Sequence, residues 1–277
     1  MFNLGLRTTE LVVPKRTFKN EAHLIDGSNM FCRAHSSTLG KTIRKFMAMF
    51  GRIPKNSKYI AVVFDDAQYT WRHELLPNYK SNRSFRWDLE QLFIVRNLLH
   101  YRGIRVIASK KYEADDLIAS ASSLFKCPVY IHSEDKDFFQ LLTENVSLIK
   151  DHKLFTVSSL EKSLGFTPSS FLEYQILVGD TVDKIPGMPM WGKDSAKEYL
   201  QKYGSLEGIL ANKSKLPTKL KNGLNKGIDD LQLMRKLLTL KKNILKKDVS
   251  YFETKPANTS KLSEIALTHG VMLNNFL

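Results

Sequence analysis

Four short apolar runs, separated by helical stretches, constrain the fold more than any other feature of this sequence. The runs are "AHLIDGSN", "KYIAVVFDDA", "GIRVIAS" and "PVYIHSEDKD". The stretches "TIRKFMAMF", "WDLEQLFIVRNLLHYR" and "EADDLIASASSLF" carry apolar residues three and four positions apart, as amphipathic helices do. Because alternating strands and helices are typical of a parallel sheet covered by helices, we predict an α/β fold with a mostly parallel central sheet.

The pattern changes after about residue 158. Helical stretches there are broken by Gly and Pro, and lysines are dense in "LANKSKLPTKLKNGLNKG" and "LKKNILKK". We therefore predict an α/β lobe over residues 1–155 and a helical, basic lobe over residues 156–277. No run of about 18 apolar residues is present, and Cys32 and Cys127 are too few for a disulfide framework, so we expect a cytoplasmic protein without a membrane partner.

Carboxylates follow the strand ends and the helix starts. Any one of them is most simply a turn former or a helix cap. Together they would meet at the carboxyl edge of a parallel sheet, where their mutual repulsion needs a cation. Oxygen ligands without His or Cys select Mg²⁺ or Mn²⁺, and two such ions roughly 4 Å apart can hold and hydrolyse a phosphodiester. The candidate metal ligands are Asp26, Asp65, Glu113, Asp115, Asp116, Asp135, Asp137, Asp180 and Asp183.

The overall charge favours a polyanionic partner. Lys and Arg number 42 against 28 Asp and Glu, which gives a formal net charge of +14. A basic surface that binds only water and counterions is the alternative, and charge alone leaves it open.

Five motifs occur in the order found in a known enzyme family. "LIDGSN", "VVFDDAQYTWRHELLPNYKSNR", "YEADDLIA", "SEDKDFFQLL" and "LVGDTVDKIPGMPMWG" resemble the motif set of the structure-specific 5′-nucleases. That family includes bacteriophage flap endonucleases and the 5′-nuclease domain of bacterial DNA polymerase I. The resemblance implies a PIN-like nuclease core with a C-terminal lobe that contains a helix-hairpin-helix-like element, and it assigns all nine acids above to two metal sites.

The resemblance also implies roles for the basic and aromatic residues. Lys80 and Arg33 would contact the reacting phosphate, with Lys80 stabilising the transition state while metal-bound hydroxide attacks. Tyr79 would stack on a base near the frayed end. The remaining DNA contacts would come from Arg83, Gly187, Gly192 and Lys193, with K⁺ in the hairpin. Residues 84–101 take the place of the arch through which family members thread a single strand.

The predicted function is a monomeric 5′-3′ exonuclease and flap endonuclease of replication or repair. Its substrates would be DNA with 5′ ends, nicks or flaps, and RNA–DNA primers. Two alternatives stay open: a catalytically silent protein that binds branched DNA, and an RNA-processing PIN-like nuclease. Five residues depart from the usual family motifs: Glu134, Asp66, Lys184, Met190 and Trp191. The last two put the K⁺ site in question.

Overall fold

The protein is built around a six-stranded sheet. The computed structural model describes residues 20–54, 57–82 and 88–270. In the order β3-β2-β1-β4-β5-β6, the first five strands run parallel and β6 is antiparallel to β5. The strands are β1 (Ala22–Asp26), β2 (Tyr59–Asp65), β3 (Arg105–Ser109), β4 (Val129–His132), β5 (Val146–Lys150) and β6 (Lys153–Phe155). The predicted mostly parallel sheet is confirmed, and the β5–β6 hairpin extends it beyond the four predicted strands.

Helices cover both faces of the sheet. Successive strand residues alternate between two cores: Leu24 and Val63 pack into one, and Ile25 and Phe64 into the other. Burial on both faces explains why these strands are continuously apolar in sequence. The helices of this lobe are α1 (Gly27–Ala34), α2 (Leu39–Phe50), α3 (Trp71–Leu75), α4 (Leu89–Tyr101) and α5 (Ala114–Ser122).

The second part of the chain is helical, as predicted. Capping residues set several of its helix boundaries: Thr156 and Ser159 form a capping box at α6, and Gly165 ends that helix at φ 78°. Its helices are α6 (Val157–Leu164), α7 (Pro168–Val178), α8 (Lys193–Tyr203), α9 (Leu206–Ala211), α10 (Thr218–Gly227), α11 (Leu231–Leu238) and α12 (Thr259–His269), with 3₁₀ turns at Lys136–Leu141, Lys213–Lys215 and Val249–Phe252.

The two lobes share one of the cores. Phe139, from the 3₁₀ turn after β4, packs edge-on against Phe171 of α7, with ring centroids 5.3 Å apart. The Arg72 side chain of α3 donates to the Leu237 carbonyl of α11 at 2.8 Å. The last strand ends at Phe155, so the sheet lies wholly within the first predicted lobe, while the boundary itself stays a prediction.

The segment that takes the place of the family's arch, residues 84–101, is mostly a packed helix. Leu92, Val95 and Leu98 of α4 are at most 5% exposed and lie in the core beneath the sheet, whereas Phe93 is 65% exposed. Residues 84–87 of that segment lie outside the described residues. In the described ranges, no helix combines the length and the apolar character that crossing a membrane requires.

Candidate active site

The first carboxylates lie where β1 and β4 end side by side. Asp26 ends β1 and caps α1, since its Oδ1 accepts the Asn29 amide at 2.9 Å. Its Oδ2 accepts the Ser133 hydroxyl at 2.6 Å, and Ser133 Oγ in turn accepts the Asp135 amide at 3.0 Å. One serine therefore links acids that are more than 100 residues apart in sequence.

Asp65 brings the first turn of α5 to the same edge. It ends β2, and its Oδ1 accepts the Ala114 amide at 2.7 Å. Ala114 is the first residue of α5, and Glu113 is its N-cap. This bond fixes the start of α5 against the end of β2. Asp65 therefore helps to position Asp115 and Asp116 at the sheet edge.

The second lobe completes the cluster of acids. Gln175 of α7 donates to Asp137 Oδ1 at 2.6 Å, and Lys136 pairs with Asp180 at 3.0 Å. Asp180 then accepts the Val182 amide at 2.9 Å, which shapes the turn that carries Asp183. The acids of both lobes are thus joined through direct side-chain contacts.

A buried arginine neutralises two of the predicted ligands. Arg72 is 3% exposed and donates to Glu113 Oε2 at 2.7 Å and to both Asp116 oxygens at 2.8 and 2.9 Å. Asp116 also accepts the Trp71 indole at 2.8 Å and the Lys241 amide at 3.0 Å. Two carboxylate oxygens offer about four lone-pair positions, and here four donors fill them. The assignment of Asp116 as a metal ligand is therefore corrected: it is the structural partner of Arg72.

Tyr79 and Lys80 lie among the acids in different ways. Tyr79 is only 3% exposed, and its hydroxyl donates to Glu113 at 3.0 Å and to Asp183 at 3.3 Å. Its predicted stacking on a base is corrected, because no face of the ring is open to one. Lys80 has a φ of 51°, an uncommon conformation for a residue with a Cβ, and its Nζ lies 2.8 Å from Glu113 and 3.7 Å from Asp183.

Asp26, Asp115 and Asp137 lie close to other carboxylates, which repel their negative charges. Burial, and then the charges of Asp65 and Asp135, raise the pKa of Asp26 to about 7. Burial and the neighbouring Asp135 raise the pKa values of Asp115 and Asp137 well above the ordinary range. Glu113 differs: burial raises its pKa, but Lys80 and Arg72 outweigh that effect and leave the pKa below its usual value.

This donor set fits hard divalent cations. It consists of carboxylate oxygens, which Mg²⁺ and Mn²⁺ prefer, and its mutual repulsion is what a bound cation would relieve. Among the described residues, no three His, Cys, Asp or Glu side chains are arranged so that they could hold a metal ion as they stand. The carboxylates therefore suit a divalent cation in the type of donor atom and in charge, and not in a preformed coordination geometry.

Arg33 lies beside the acids and is held by Glu134. Its Nη1 donates to Glu134 Oε1 at 2.7 Å, and Glu134 also accepts the Asp151 amide at 3.1 Å. A cavity of about 420 Å³ beside this pair is lined by Asp26, Arg52 and Ser133, among others. Arg83, predicted to contact DNA, lies outside the described residues.

The two glycines of the predicted DNA-binding turn have different surroundings. A Cβ on Gly187 would meet the Val178 carbonyl carbon at 2.3 Å, so this glycine lets the turn pack against the end of α7 and does not open it to a phosphate. Gly192 is exposed, and a Cβ added to it would have no atom within 4 Å; it caps α8 directly before Lys193. Among the described residues predicted to contact DNA beyond the active site, Gly192 and Lys193 are the exposed ones.

Two family models cover nearly all of the described chain. Residues 21–165 match the 5′-3′ exonuclease N-terminal resolvase-like domain, and residues 166–260 match the 5′-3′ exonuclease C-terminal SAM fold. The chain belongs to the 5′-3′ exonuclease family. It is a nuclease, and the family suggested by its motifs is confirmed.

Relatives of this 5′-3′ exonuclease cover most of its length. A 5′-3′ exonuclease of Aquifex aeolicus is 33% identical over 236 residues, 79% of this chain and 81% of that protein. The thermostable DNA polymerase I of Thermus aquaticus is 28% identical over 78% of this chain, but only 28% of the polymerase is covered. A variant bacteriophage T5 flap endonuclease, solved with DNA and metal ions, has the same fold at TM-score 0.67 and 21% identity, covering 90% of this chain and 99% of that one.

Sequence reasoning missed three side chains that organise the site of this exonuclease. Arg72 lies in the quoted motif "TWRHELL" and could have been found by asking which cation balances nine acids. Ser133 precedes the "EDKD" acids, and its position directly after β4 was the available signal. Gln175, 2% exposed on α7, gives no signal in the sequence, since only the fold places it against Asp137.

Proposed function

We propose that this protein is a divalent-metal-dependent 5′-3′ exonuclease and flap endonuclease that hydrolyses DNA phosphodiesters. The observation that carries the proposal is the set of repelling carboxylates at one sheet edge, with the pKa values of Asp26, Asp115 and Asp137 raised. The metal ions and DNA in the T5 flap endonuclease structure and the +14 charge of this chain support the same assignment.

The acids divide into two groups: those that would bind metal ions and those that pair with basic side chains of the protein. Two Mg²⁺ or Mn²⁺ ions would be held by Asp26, Asp65, Asp115, Asp135, Asp137, Asp180 and Asp183. When bound, such ions lower the pKa of water and stabilise the charge of the leaving oxygen. Glu113 was also predicted to bind metal, but we propose that it orients Lys80 through the 2.8 Å contact, and that Asp116 holds Arg72.

Basic residues of the chain bind and orient the phosphate. Lys80, in its left-handed conformation between Glu113 and Asp183, presents an ammonium where negative charge grows on the phosphate oxygens. Arg33 offers a guanidinium from the end of α1, where a phosphate would exchange with Glu134. Gly192 and Lys193, at the start of α8, would contact the duplex backbone, with K⁺ in the adjacent turn as part of the same proposal.

The relatives support a proposal for the cellular role. Since this chain resembles part of a DNA polymerase I, we infer a role in replication or repair, with 5′ ends, nicks, flaps and RNA–DNA primers as substrates. We infer that it works as a monomer in the cytoplasm of a bacterial or phage-infected cell.

Cleavage of 5′-labelled nicked and flapped duplexes in Mg²⁺ tests the proposal. The wild type should cut them, and the double variant Asp135→Asn with Asp137→Asn should lose cleavage. Asp229→Asn with Asp230→Asn removes the same charge from exposed acids and should keep full activity. Undiminished cleavage by the first variant would refute the ligand assignment.

Two further outcomes separate the alternatives. Binding of flapped DNA in EDTA with no product in Mg²⁺ or Mn²⁺ would favour a silent branched-DNA-binding protein. Faster cleavage of a matched RNA than of flap DNA would favour an RNA-processing nuclease.

A further inference from the structure

A second cleft lies on the far side of the Arg72–Asp116 contact. Its volume is about 620 Å³, and its walls are formed by α3, by α11 with the residues that follow it, and by the loop before α5. None of the seven proposed metal ligands lines it. The residues that matter here are Trp71, Lys111, Tyr112, Arg235, Lys236 and Lys241, which we call the basic cleft.

The cleft carries a net positive charge. Four cationic side chains line it, against one carboxylate, that of Glu74. Arg235 is paired with Glu207 at 2.8 Å, while Lys111 and Lys236 are exposed. A concentration of cations in a concave site attracts anionic ligands, because the low-dielectric walls focus the field.

Apolar and aromatic surface lies between these cations. Tyr112 is partly exposed, and Lys111 Nζ lies 5.7 Å from its ring centroid. Trp71 is 7% exposed and serves as the floor of the cleft, with Lys241 Nζ 4.1 Å from its ring centroid. Leu75, on the same wall, is 39% exposed. Cations interleaved with apolar and aromatic groups match a nucleic acid whose bases are unstacked, since bases contact the apolar surface while phosphates meet the cations.

The cleft is attached rigidly to the active site. Trp71 donates to Asp116, and Tyr112 directly precedes Glu113, so the cleft and the acids share the first turn of α5. We propose that the basic cleft binds the single-stranded segment of the substrate that continues beyond the reactive phosphodiester. A duplex keeps its bases stacked inside and cannot place one in a concavity of this size. The substrate assignment rests on the proposed function, whereas single-strand binding does not.

The test measures binding without cleavage. Full-length protein in EDTA is titrated against labelled oligothymidylate at several salt concentrations, and Lys111→Ala with Lys236→Ala is compared with the wild type. Losing two phosphate contacts should make the log–log salt slope less negative by about 1.4, from about 0.7 per contact on a single strand. Lys126→Ala with Lys162→Ala removes two exposed lysines elsewhere and should leave the slope unchanged.

Cleavage assays then place the strand in the reaction. The Lys111 and Lys236 variant should have a raised KM for duplexes with long 5′ single-stranded flaps and an unchanged KM for a nicked duplex without a flap. An unchanged salt slope in this variant, or a greater loss of binding to an acidic peptide than to oligothymidylate, would overturn the proposal. Oligouridylate in place of oligothymidylate shows whether RNA segments share the site.

The failure of one proposal can be told from the failure of the other. If wild-type protein binds oligothymidylate with the predicted slope change but cuts no substrate, the basic cleft stands and the nuclease assignment fails. If it cuts flaps while the variant binds and cuts as the wild type does, the nuclease assignment stands and the cleft is refuted.

Discussion

Asp115 and Asp116 are adjacent in sequence and opposite in electrostatic environment. Asp116 is fully buried, and Arg72, Trp71 and the Lys241 amide saturate its oxygens. Asp115 faces other carboxylates, and burial together with Asp135 raises its pKa. Arg72 thus neutralises the carboxylate on one side of α5, that of Asp116. The carboxylate on the other side, that of Asp115, is not neutralised in the same way. The first side holds the lobes together, and the second is the side on which we propose that metal ions bind.

Replacing Arg72 should have the largest effect on stability. Arg72→Met keeps the volume of the side chain but leaves Asp116 buried without its cation and Glu113 with Lys80 alone. Removing one partner of a buried ion pair costs about 3–5 kcal/mol, and we expect a loss of that size in urea unfolding. Arg44→Met, an exposed arginine of α2, is the control and should change stability by less than about 0.5 kcal/mol. A small loss for Arg72→Met would mean that the pair contributes little.

The adjacent aspartates should respond in opposite directions to the same substitution. Asp116→Asn weakens hydrogen bonds between charged groups and should destabilise the fold by about 1.5–3 kcal/mol. Asp115→Asn removes a repelled charge and should stabilise the metal-free fold by about 1 kcal/mol, the equivalent of somewhat less than one pKa unit. Thermal unfolding in EDTA measures both.

Metal ions should reverse the effect at Asp115. Adding Mg²⁺ should stabilise the wild type, because an ion that binds only the folded state shifts the unfolding equilibrium. Asp115→Asn should gain less from Mg²⁺, and Asp116→Asn should gain as much as the wild type. Equal gains for all three proteins would show that the two carboxylates do not differ in the way we describe.

The strand-end acids could be predicted from sequence, and the difference between Asp115 and Asp116 could not. Asp26 and Asp65 end apolar runs, and the carboxyl ends of parallel strands meet at one edge, so their convergence follows from the fold class. Two neighbours on a helix point about 100° apart, and their surroundings depend on what packs there. Here that is Arg72, more than 40 residues away in sequence.

Local patterns failed for the same reason elsewhere. Gly187 lies in a turn that reads as a phosphate-binding hairpin, but its neighbour is the backbone of Val178. Tyr79 lies in a polar loop, "PNYKSNR", yet it is 3% exposed, because Glu113 and Asp183 accept its hydroxyl. For Tyr79, partners distant in sequence decide the role of the residue. For Gly187, the way its own turn packs back onto the end of α7 decides it.

The histidine pair His23 and His132 is uncharged in the folded protein and so does not neutralise the acids. The stability of the fold should therefore decrease at acid pH. His132 lies 2.9 Å from His23, and burial with the nearby His23 lowers its pKa to about 3. The folded state therefore stays neutral where the unfolded state takes up a proton, so stability should fall as the pH drops below 6.5. One such group contributes at most about 2 kcal/mol between about pH 6.5 and 5, and solvent screening reduces that figure.

Comparison with a variant isolates this contribution. His132→Gln keeps a side chain that can hydrogen-bond to His23 and cannot titrate. Urea unfolding at pH 7.5, 6.5, 5.8 and 5.0 should show a shallower loss of stability for the variant than for the wild type. Parallel curves would mean that His132 is protonated as readily in the fold as outside it.

The smallest expected effect concerns the contact between Glu134 and Arg33. This carboxylate has a cationic partner, as Asp116 does, but the pair is partly exposed to solvent. Arg33 is 44% exposed and Glu134 is 20% exposed in their side chains, so the pair should add little to stability. A substrate phosphate and the Glu134 carboxylate compete for the same guanidinium. Glu134→Gln should therefore lower KM for nicked duplex by up to about fivefold without changing kcat, since exposed ion pairs contribute about 0.2–1 kcal/mol.

A double-variant comparison distinguishes competition from positioning. Arg33→Gln should raise KM, and adding Glu134→Gln to it should have no further effect, because residues that act through one contact are not additive. If Glu134→Gln alone raises KM, the carboxylate orients Arg33 for the phosphate instead of withholding it. In that case Glu134 would support the reaction by orienting Arg33, just as Asp116 supports the fold by holding Arg72.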